Sequence, residues 1–572
     1  MRSPSPTSFP ENPPPVSRKE WGMALLVGLV LVGVTAVPYL LATLTAQPGT
    51  VFTGTLMNPE DSQTYFAKML QGYDGRWLYT IVFTAEPHQP TFLGGFYFFL
   101  GHVARWTGLT IVTVWHLARA VSVLLLTTAV YGFTAFFVAD RRIRLTGFLT
   151  AVFGAGLGWL LFLLNQPYWL DTFPVDFKMP EAHLFFTSLT FPHIILSTAL
   201  LLASFWALLQ AFAHQDNPRG WAFAALASVV NLSLSILHPL LVYLIVLTGG
   251  LYWLFMSIQA RRILWREGFL LVAALVLPGL LNLYYGYTLL TNDVLRGWDA
   301  QREATVSPPW PHLLLAYGPL LLLAGMHAFR QWRSGAKLSA RWLFLWTWVA
   351  ATVLLVYAPL NSQRRFVQGV HVPLSILAAA GLVEVALPWL LRTRPLRAIL
   401  AHDRYSEPGL TRFFIALFLL VISLSNLYVF ASVSTSAIIQ QPDPLFRPTD
   451  EVTAVQWLRD NTSRTAVVLG DYETGNYVAG QAGNPVVLGH WAETIDFAAK
   501  TAVVAQFYSA AASDEWRQAY LNETQAQYVW YGPRERMLGG FQPETAVYLR
   551  PIYRQGTITI FKVDNSPASI DN

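Results

Sequence analysis

Residues 21–44 read WGMALLVGLVLVGVTAVPYLLATL, an apolar run preceded by Arg18-Lys19 and followed by Gln47-Pro48. A bilayer core of about 30 Å needs roughly 20 apolar residues in one helix, and this run supplies them. It is longer than a signal-peptide h-region and carries no convincing cleavage site, so it reads as a retained signal anchor. Comparable runs follow at 110–138, 145–164, 189–213, 268–290, 312–329, 342–360, 370–391 and 412–433. The stretch 221–257 is too long for one span and splits at His238-Pro239, because proline disfavours helical geometry in the residue before it. The fold class is therefore a polytopic α-helical membrane protein with about 11 transmembrane helices.

Composition agrees. Of 572 residues, 54% are hydrophobic and 12% charged, against about 25% charged in soluble domains. Fourteen per cent are aromatic, 21 of them Trp, as suits a chain that lines two water–lipid interfaces. The formal charge of +5 does not indicate nucleic acid, because the excess cations sit in short loops between apolar runs. The sequence contains no Cys, which excludes disulfides, thiolate metal sites and Cys nucleophiles.

Loop charges set the orientation. With the N-terminus inside, the cytoplasmic segments hold about 19 Lys/Arg against about 7 Asp/Glu, including Arg141, Arg142, Arg144, Arg261, Arg262, Arg266 and Lys337. The outer loops carry more acids than bases. The segment 92–106 is apolar and aromatic but short, and reads as a helix lying in the interface. Were it a full span, every later loop would change sides and the charge asymmetry would reverse. The expected organisation is a disordered cytoplasmic tail over 1–20 and a transmembrane domain over 21–435 with a long first outer loop at 45–91. A soluble extracytoplasmic α/β domain follows over 445–565. There Asp450–Asp460 and Thr494–Ala511 read as helices; Ala466–Gly470, Pro485–Leu488, Tyr528–Tyr531, Ala546–Leu549 and Thr557–Val563 read as strands. The cellular location expected is a bacterial inner (plasma) membrane.

Three outer loops carry the chemistry. The first, about 45 residues long, contains Asn58-Pro59-Glu60-Asp61 and, further on, Lys68 and His88, the histidine a candidate acceptor or cleft residue; loops of that length are usually functional. A carboxylate there suits a general base toward an acceptor hydroxyl or amine, and a solvated acidic loop is the competing reading. The second loop holds Asp171, Asp176, Lys178, Glu181 and His183; its spaced carboxylates with the His suit a hard divalent cation (Mg2+ or Mn2+) or form part of an acceptor cleft. The third contains Arg364-Arg365. Two outward arginines break the charge rule, and guanidinium forks suit bidentate binding of phosphate oxygens; ion pairing to the acidic loops is the alternative. Within the spans, His116 and Arg119 lie one turn apart, as an internal polar pair or as substrate contacts. His193 and His238 fall at outer helix ends, as packing or cleft residues.

This order of parts resembles the GT-C superfamily of membrane glycosyltransferases: a first helix from the cytoplasm, a long acidic outer loop, many further spans and an outer α/β domain. That superfamily includes protein mannosyltransferases, aminoarabinose transferases and oligosaccharyltransferases. The most specific local match is Glu60-Asp61, at the position of the family's first-loop acidic motif. The resemblance implies transfer of a sugar from a polyprenyl-phosphate donor to a glycan, lipid or protein acceptor outside the cytoplasm. It implies Asp61 as catalytic carboxylate with Glu60 as second choice, and Asp176 and Glu181 as counterparts of metal-binding acids. Arg364 and Arg365 match by role, as cations for the carrier phosphate. The Trp-Trp-Asp triplet typical of oligosaccharyltransferases is absent. The run Gly489-His490-Trp491-Ala492-Glu493-Thr494 also stands out as a stretch facing the acceptor. The other function classes are a transporter or flippase of a lipid-linked or anionic substrate, and a non-catalytic assembly subunit.

Overall fold

A computed structural model of the chain describes residues 15–214, 217–296, 305–335, 338–360 and 362–564. The expected tail up to residue 14, Lys337, Asn361 and residue 565 lie outside the described residues. Contacts divide the chain into two compact units. One comprises residues up to Val37, Leu117–Leu283 and Thr305–Val433; the other comprises Pro38–His116, Tyr284–Ala304 and the chain from Ser434 onward.

Among the described residues, nine helices are long and apolar enough to cross a membrane, and the apolar Ala340–Val356 helix is shorter. The split at His238-Pro239 is observed, with helices Pro218–Leu237 and Leu241–Ala260 on either side. Helical spacing leaves apolar side chains on the outside. On Trp265–Thr291, Phe269, Val272, Val276, Leu280 and Leu283 are exposed at three- and four-residue intervals. A continuous apolar stripe of this kind requires lipid or protein against it. The chain is a multi-pass membrane protein.

The 145–164 run departs from the expected single span. Arg141–Phe153 is helical, the backbone opens at Gly154-Ala155-Gly156, and a five-residue helix resumes at Trp159–Leu163. Non-helical backbone at membrane depth persists only where protein satisfies its amides. Here Ala155 N donates to Ile422 O at 2.8 Å, Leu157 N to Leu315 O at 3.0 Å, and Gly158 N to Asp176 Oδ2 at 2.8 Å. Arg144, counted as a loop cation, is buried and paired with Glu20 at 2.8 Å.

The second unit is built on strands. β1 (Thr50–Phe52) pairs antiparallel with β2 (Phe446–Pro448). β3 (Val467–Leu469), β4 (Ala526–Tyr531), β5 (Leu549–Gln555) and β6 (Ile558–Val563) form one sheet in the order β3-β4-β6-β5, parallel between β3 and β4 and otherwise antiparallel. Alternating side chains serve opposite faces. Val468, Trp530, Ile558 and Ile560 enter one core with Ala454, Val455, Leu458, Tyr477 and Val478. Leu469, Val529, Tyr531 and Phe561 enter another with Val504, Phe507, Tyr508 and Leu521. The first core also contains Ala67, Tyr79, Ile81, Val82, Phe83 and Phe98. The 45–91 segment, grouped with the spans by sequence order, thus shares its hydrophobic core with the C-terminal sheet. The expected strand at Pro485–Leu488 is a single bridge at Val486. Ala546–Leu549 precedes β5, which starts at Leu549 and runs to Gln555. The 92–106 segment forms a 13-residue helix, Gly95–Thr107, about 20 Å long.

One buried acid makes this unit pH-sensitive. Glu535 Oε1 accepts from Asp471 N at 2.9 Å and Oε2 from Gly532 N at 3.0 Å. Burial pushes its carboxyl up from 4.5 to about 7, against those hydrogen bonds. The folded state therefore holds a proton that the unfolded chain releases; the associated stability is complete below about pH 4.5 and is lost as pH rises through about 7. The span corresponds to about 3 kcal/mol. Hydrogen exchange in the peptides carrying the Asp471 and Gly532 amides, corrected for intrinsic rates, should be faster at pH 8 than at pH 5, and Glu535→Gln should flatten the difference.

Candidate active site

The first-loop acids lie on an ordered helix. Pro59–Tyr73 begins with Asn58 in the left-handed region at φ 46°, Pro59 in the first turn, and Glu60 and Asp61 beside it. Proline is preorganised for a helix start, and carboxylates in the first turn are favoured by the helix dipole. Asn58, which tolerates the left-handed region better than most residues, makes the turn into the helix two positions before Glu60. Helix Tyr472–Gln481 packs close by, since a Cβ on Gly480 would collide with Gln63.

Asp61 Oδ1 lies 3.1 Å from His490 Nε2, the carboxylate being 41% exposed and the imidazole buried. Glu60 Oε2 accepts from Tyr472 Oη at 2.9 Å. Burial, reinforced by the Glu60 charge, pushes the Tyr472 phenol well up, so it stays a donor. Glu473 is also pushed up, by burial ahead of the opposing pull of Arg447. Two turns along the helix, buried Lys68 reaches Glu493 Oε1 at 3.4 Å, and Tyr79 Oη donates to Glu493 Oε2 at 2.5 Å. Burial, then Glu493, holds the Tyr79 phenol far above its ordinary value. Sequence reasoning did not assign His490, Glu493, Tyr79 or Tyr472 to the site; the Gly489–Thr494 run was the available signal.

His88, expected in the acceptor cleft, is a structural latch. Its Nε2 accepts from Ile81 N at 2.9 Å and its Nδ1 donates to Glu86 O at 2.9 Å, so both ring nitrogens are engaged. His116 Nε2 bonds Gly54 O at 2.9 Å, and its ring packs on Tyr39. In the other unit, Arg119 Nη1 donates to Thr35 Oγ1 and Ser188 O, each at 3.0 Å. These contacts tie loop and helices together and give His116 and Arg119 structural roles.

The second-loop acids do not fit a divalent cation. Buried Asp176 accepts from Gly158 N at 2.8 Å, from Ser425 Oγ at 2.7 Å and from His183 Nε2 at 3.2 Å. Its oxygens stitch the broken helix to the span of Ser425. Glu181 is buried nearby, but among the described residues no three His, Asp or Glu side chains form a metal-holding group. Asp176→Ala would leave buried donors without acceptors, at about 1–3 kcal/mol each. The variant's thermal midpoint in detergent should fall by at least about 5 °C, a loss of stability whose scale follows from those donors. EDTA should leave the wild-type midpoint unchanged.

The third loop is different in kind. Ser362 adopts φ 58°, and the single turn Gln363–Val367 then presents Arg364 and Arg365. Both are half-buried, and the Nε of each is buried with no hydrogen-bond partner among the described residues. Neither has a carboxylate within ion-pair distance among the described residues. One more cation lies near them. Lys178 is held down, by burial first and then by the Arg364 charge, and the Arg365 charge faces His238. His238 is buried beside Gln368, and its ring lies 6.4 Å from that of buried His193. Half-buried like charges with unsatisfied donors are costly unless an anion joins them.

The solved structures that this chain resembles are GT-C glycosyltransferases. ArnT from Cupriavidus metallidurans bound to undecaprenyl phosphate matches with a TM-score of 0.52 at 11% identity, over 95% of this chain and 98% of that one. The Archaeoglobus fulgidus oligosaccharyltransferase tethered with an acceptor peptide matches with a TM-score of 0.51 at 15% identity, over 90% and 69%. The mycobacterial arabinofuranosyltransferase AftD gives a TM-score of 0.53 at 13% identity, over 96% of this chain and 40% of AftD. No protein-family model and no curated protein matches the chain. The fold is that of the GT-C membrane glycosyltransferases.

Proposed function

We propose that this multi-pass membrane protein with the GT-C fold is a glycosyltransferase that moves a sugar from a polyprenyl-phosphate carrier to an extracytoplasmic acceptor. The observation that carries the reading is Asp61, in the first turn of an ordered helix after the first span and hydrogen-bonded by a buried histidine. The unneutralised Arg364-Arg365 pair supports an anionic donor. The positive-inside asymmetry supports an N-terminus in the cytoplasm of a bacterial cell and both candidate sites on the outer side.

In this mechanism Asp61 takes the proton of an acceptor hydroxyl or amine as its heteroatom attacks the anomeric carbon. The bond from that carbon to the phosphate oxygen breaks, the electron pair leaves with the polyprenyl phosphate, and the configuration inverts. Arg364 and Arg365 are the cations assigned to the carrier phosphate. Fixed cations at a developing anion in a partly dry site provide the larger share of the acceleration. The oligosaccharyltransferase and ArnT neighbours were crystallised with an acceptor peptide and with undecaprenyl phosphate, which agrees with a lipid-linked donor.

The test is incubation of purified full-length protein with radiolabelled polyprenyl-phosphate sugars and a membrane extract as acceptor source. Label should move from the organic phase into an acceptor fraction. Absence of turnover with every donor overturns the assignment.

A further inference from the structure

We propose that His490 is a positioning residue for Asp61: its Nε2–H donates to Asp61 Oδ1 and fixes the carboxylate for proton transfer. The inference deepens the glycosyltransferase reading and rests on it. The hydrogen-bond network assigns the tautomer. Ala492 N donates to His490 Nδ1 at 3.3 Å, which makes Nδ1 the acceptor and places the proton of the neutral ring on Nε2, 3.1 Å from Asp61 Oδ1. A ring that accepts at one nitrogen and donates at the other can rotate only by breaking both bonds. The edge of the imidazole packs against the Phe83 ring at 5.9 Å.

The segment bearing His490 is rigid. The amides of Glu493 and Thr494 both donate to His490 O at 2.9 Å. Gly489 N donates to Thr494 Oγ1 at 3.0 Å, and that hydroxyl donates to Phe83 O at 2.6 Å. Glu493, three residues after His490, receives Lys68 and Tyr79. Lys68 lies seven residues after Asp61, on the same helical face. One six-residue turn therefore grips the Pro59–Tyr73 helix twice, at Asp61 and at Lys68. This matters because Asp61 is 41% exposed, and an exposed carboxylate samples several rotamers unless something holds it. A general base must sit within hydrogen-bond reach of the proton it takes, and misplacement by about 1 Å is enough to slow a reaction by about 100-fold.

The test compares His490→Ala, His490→Asn and His490→Gln in the full-length protein. The Ala and Asn variants should lose about 30-fold in kcat, with the KM for the polyprenyl-phosphate donor within about 2-fold of wild type. Gln retains an N–H at the reach of Nε2 and should return kcat to within about 3-fold of wild type. Wild-type kcat in both His490→Ala and His490→Asn, or a Gln variant as slow as the Ala variant while melting at the wild-type temperature, would overturn the role. A readout free of turnover separates this from failure of the glycosyltransferase reading. In 15N-histidine-labelled protein, the Nε2-protonated signal lost in His490→Gln should shift on Asp61→Ala. An unshifted signal sinks the Asp61–His490 pairing, whereas wild-type inactivity with every donor sinks the enzyme assignment alone.

Discussion

Asp61→Asn should leave no measurable sugar transfer, with expression, membrane insertion and thermal midpoint unchanged. A positioned general base is worth about 100- to 10,000-fold, and an amide cannot take the acceptor proton. The folding effect is small for a local reason. Asp61 is partly exposed, and Asn keeps an oxygen that accepts the hydrogen bond from His490, 3.1 Å away. A net change within about 1 kcal/mol is expected for such a bond. Glu60→Gln tests the neighbour. Glu60 accepts from Tyr472, an interaction that Gln also preserves, so kcat should fall by less than about 10-fold. Transfer by Asp61→Asn at the wild-type rate would remove Asp61 as the base. The measurement is initial-rate transfer from a labelled polyprenyl-phosphate donor, alongside a melting curve of each variant in the same detergent.

Arg364→Ala with Arg365→Ala should lower kcat/KM for the donor by about 100-fold or more, while thermal stability stays level or rises. Hydrogen bonds to a charged group contribute about 1.5–3 kcal/mol each, so two guanidinium forks on one phosphate account for that loss. The stability direction sets this pair apart from an ordinary salt-bridge deletion. No carboxylate pairs with either arginine among the described residues, and each Nε is buried without a partner. Removing them relieves repulsion with Lys178. Gains in stability on loss of function are what a preorganised, strained binding site predicts. Lys at both positions should recover only part of the activity, because an ammonium supplies charge without the planar fork. A double-Ala variant that melts at a clearly lower temperature with unchanged donor kinetics would assign the pair to folding.

Much of the molecule is legible from local sequence. Trp21–Leu44 and Ile111–Phe137 are written in hydropathy alone, as is the break at His238-Pro239, where a proline restricts the residue before it. The helix Thr449–Asn461 and strands β4 and β6 follow from short-range periodicity. Glu60-Asp61 stands out as an acid pair soon after the first span, and Arg364-Arg365 as outward cations that break the charge rule.

Other features depend on residues far apart in the chain. The 145–164 run has the hydropathy of a span, yet its glycines open the helix because Ile422, Leu315 and Asp176 supply partners for the released amides. Asp176 has the composition of a cation ligand, but its environment makes it a buried acceptor. His88 looks like a cleft residue until its two nitrogens find Ile81 and Glu86. The first outer loop, adjacent in sequence to the spans, buries Tyr79, Val82 and Phe83 with the C-terminal sheet. That folding brings His490 to Asp61 across 429 residues of chain. Spans are set by the free energy of local segments in lipid, a property of about 20 consecutive residues, and the sequence by itself determines them. The partner of a carboxylate is set by which surfaces pack together, and for Asp61 only the tertiary structure decides it.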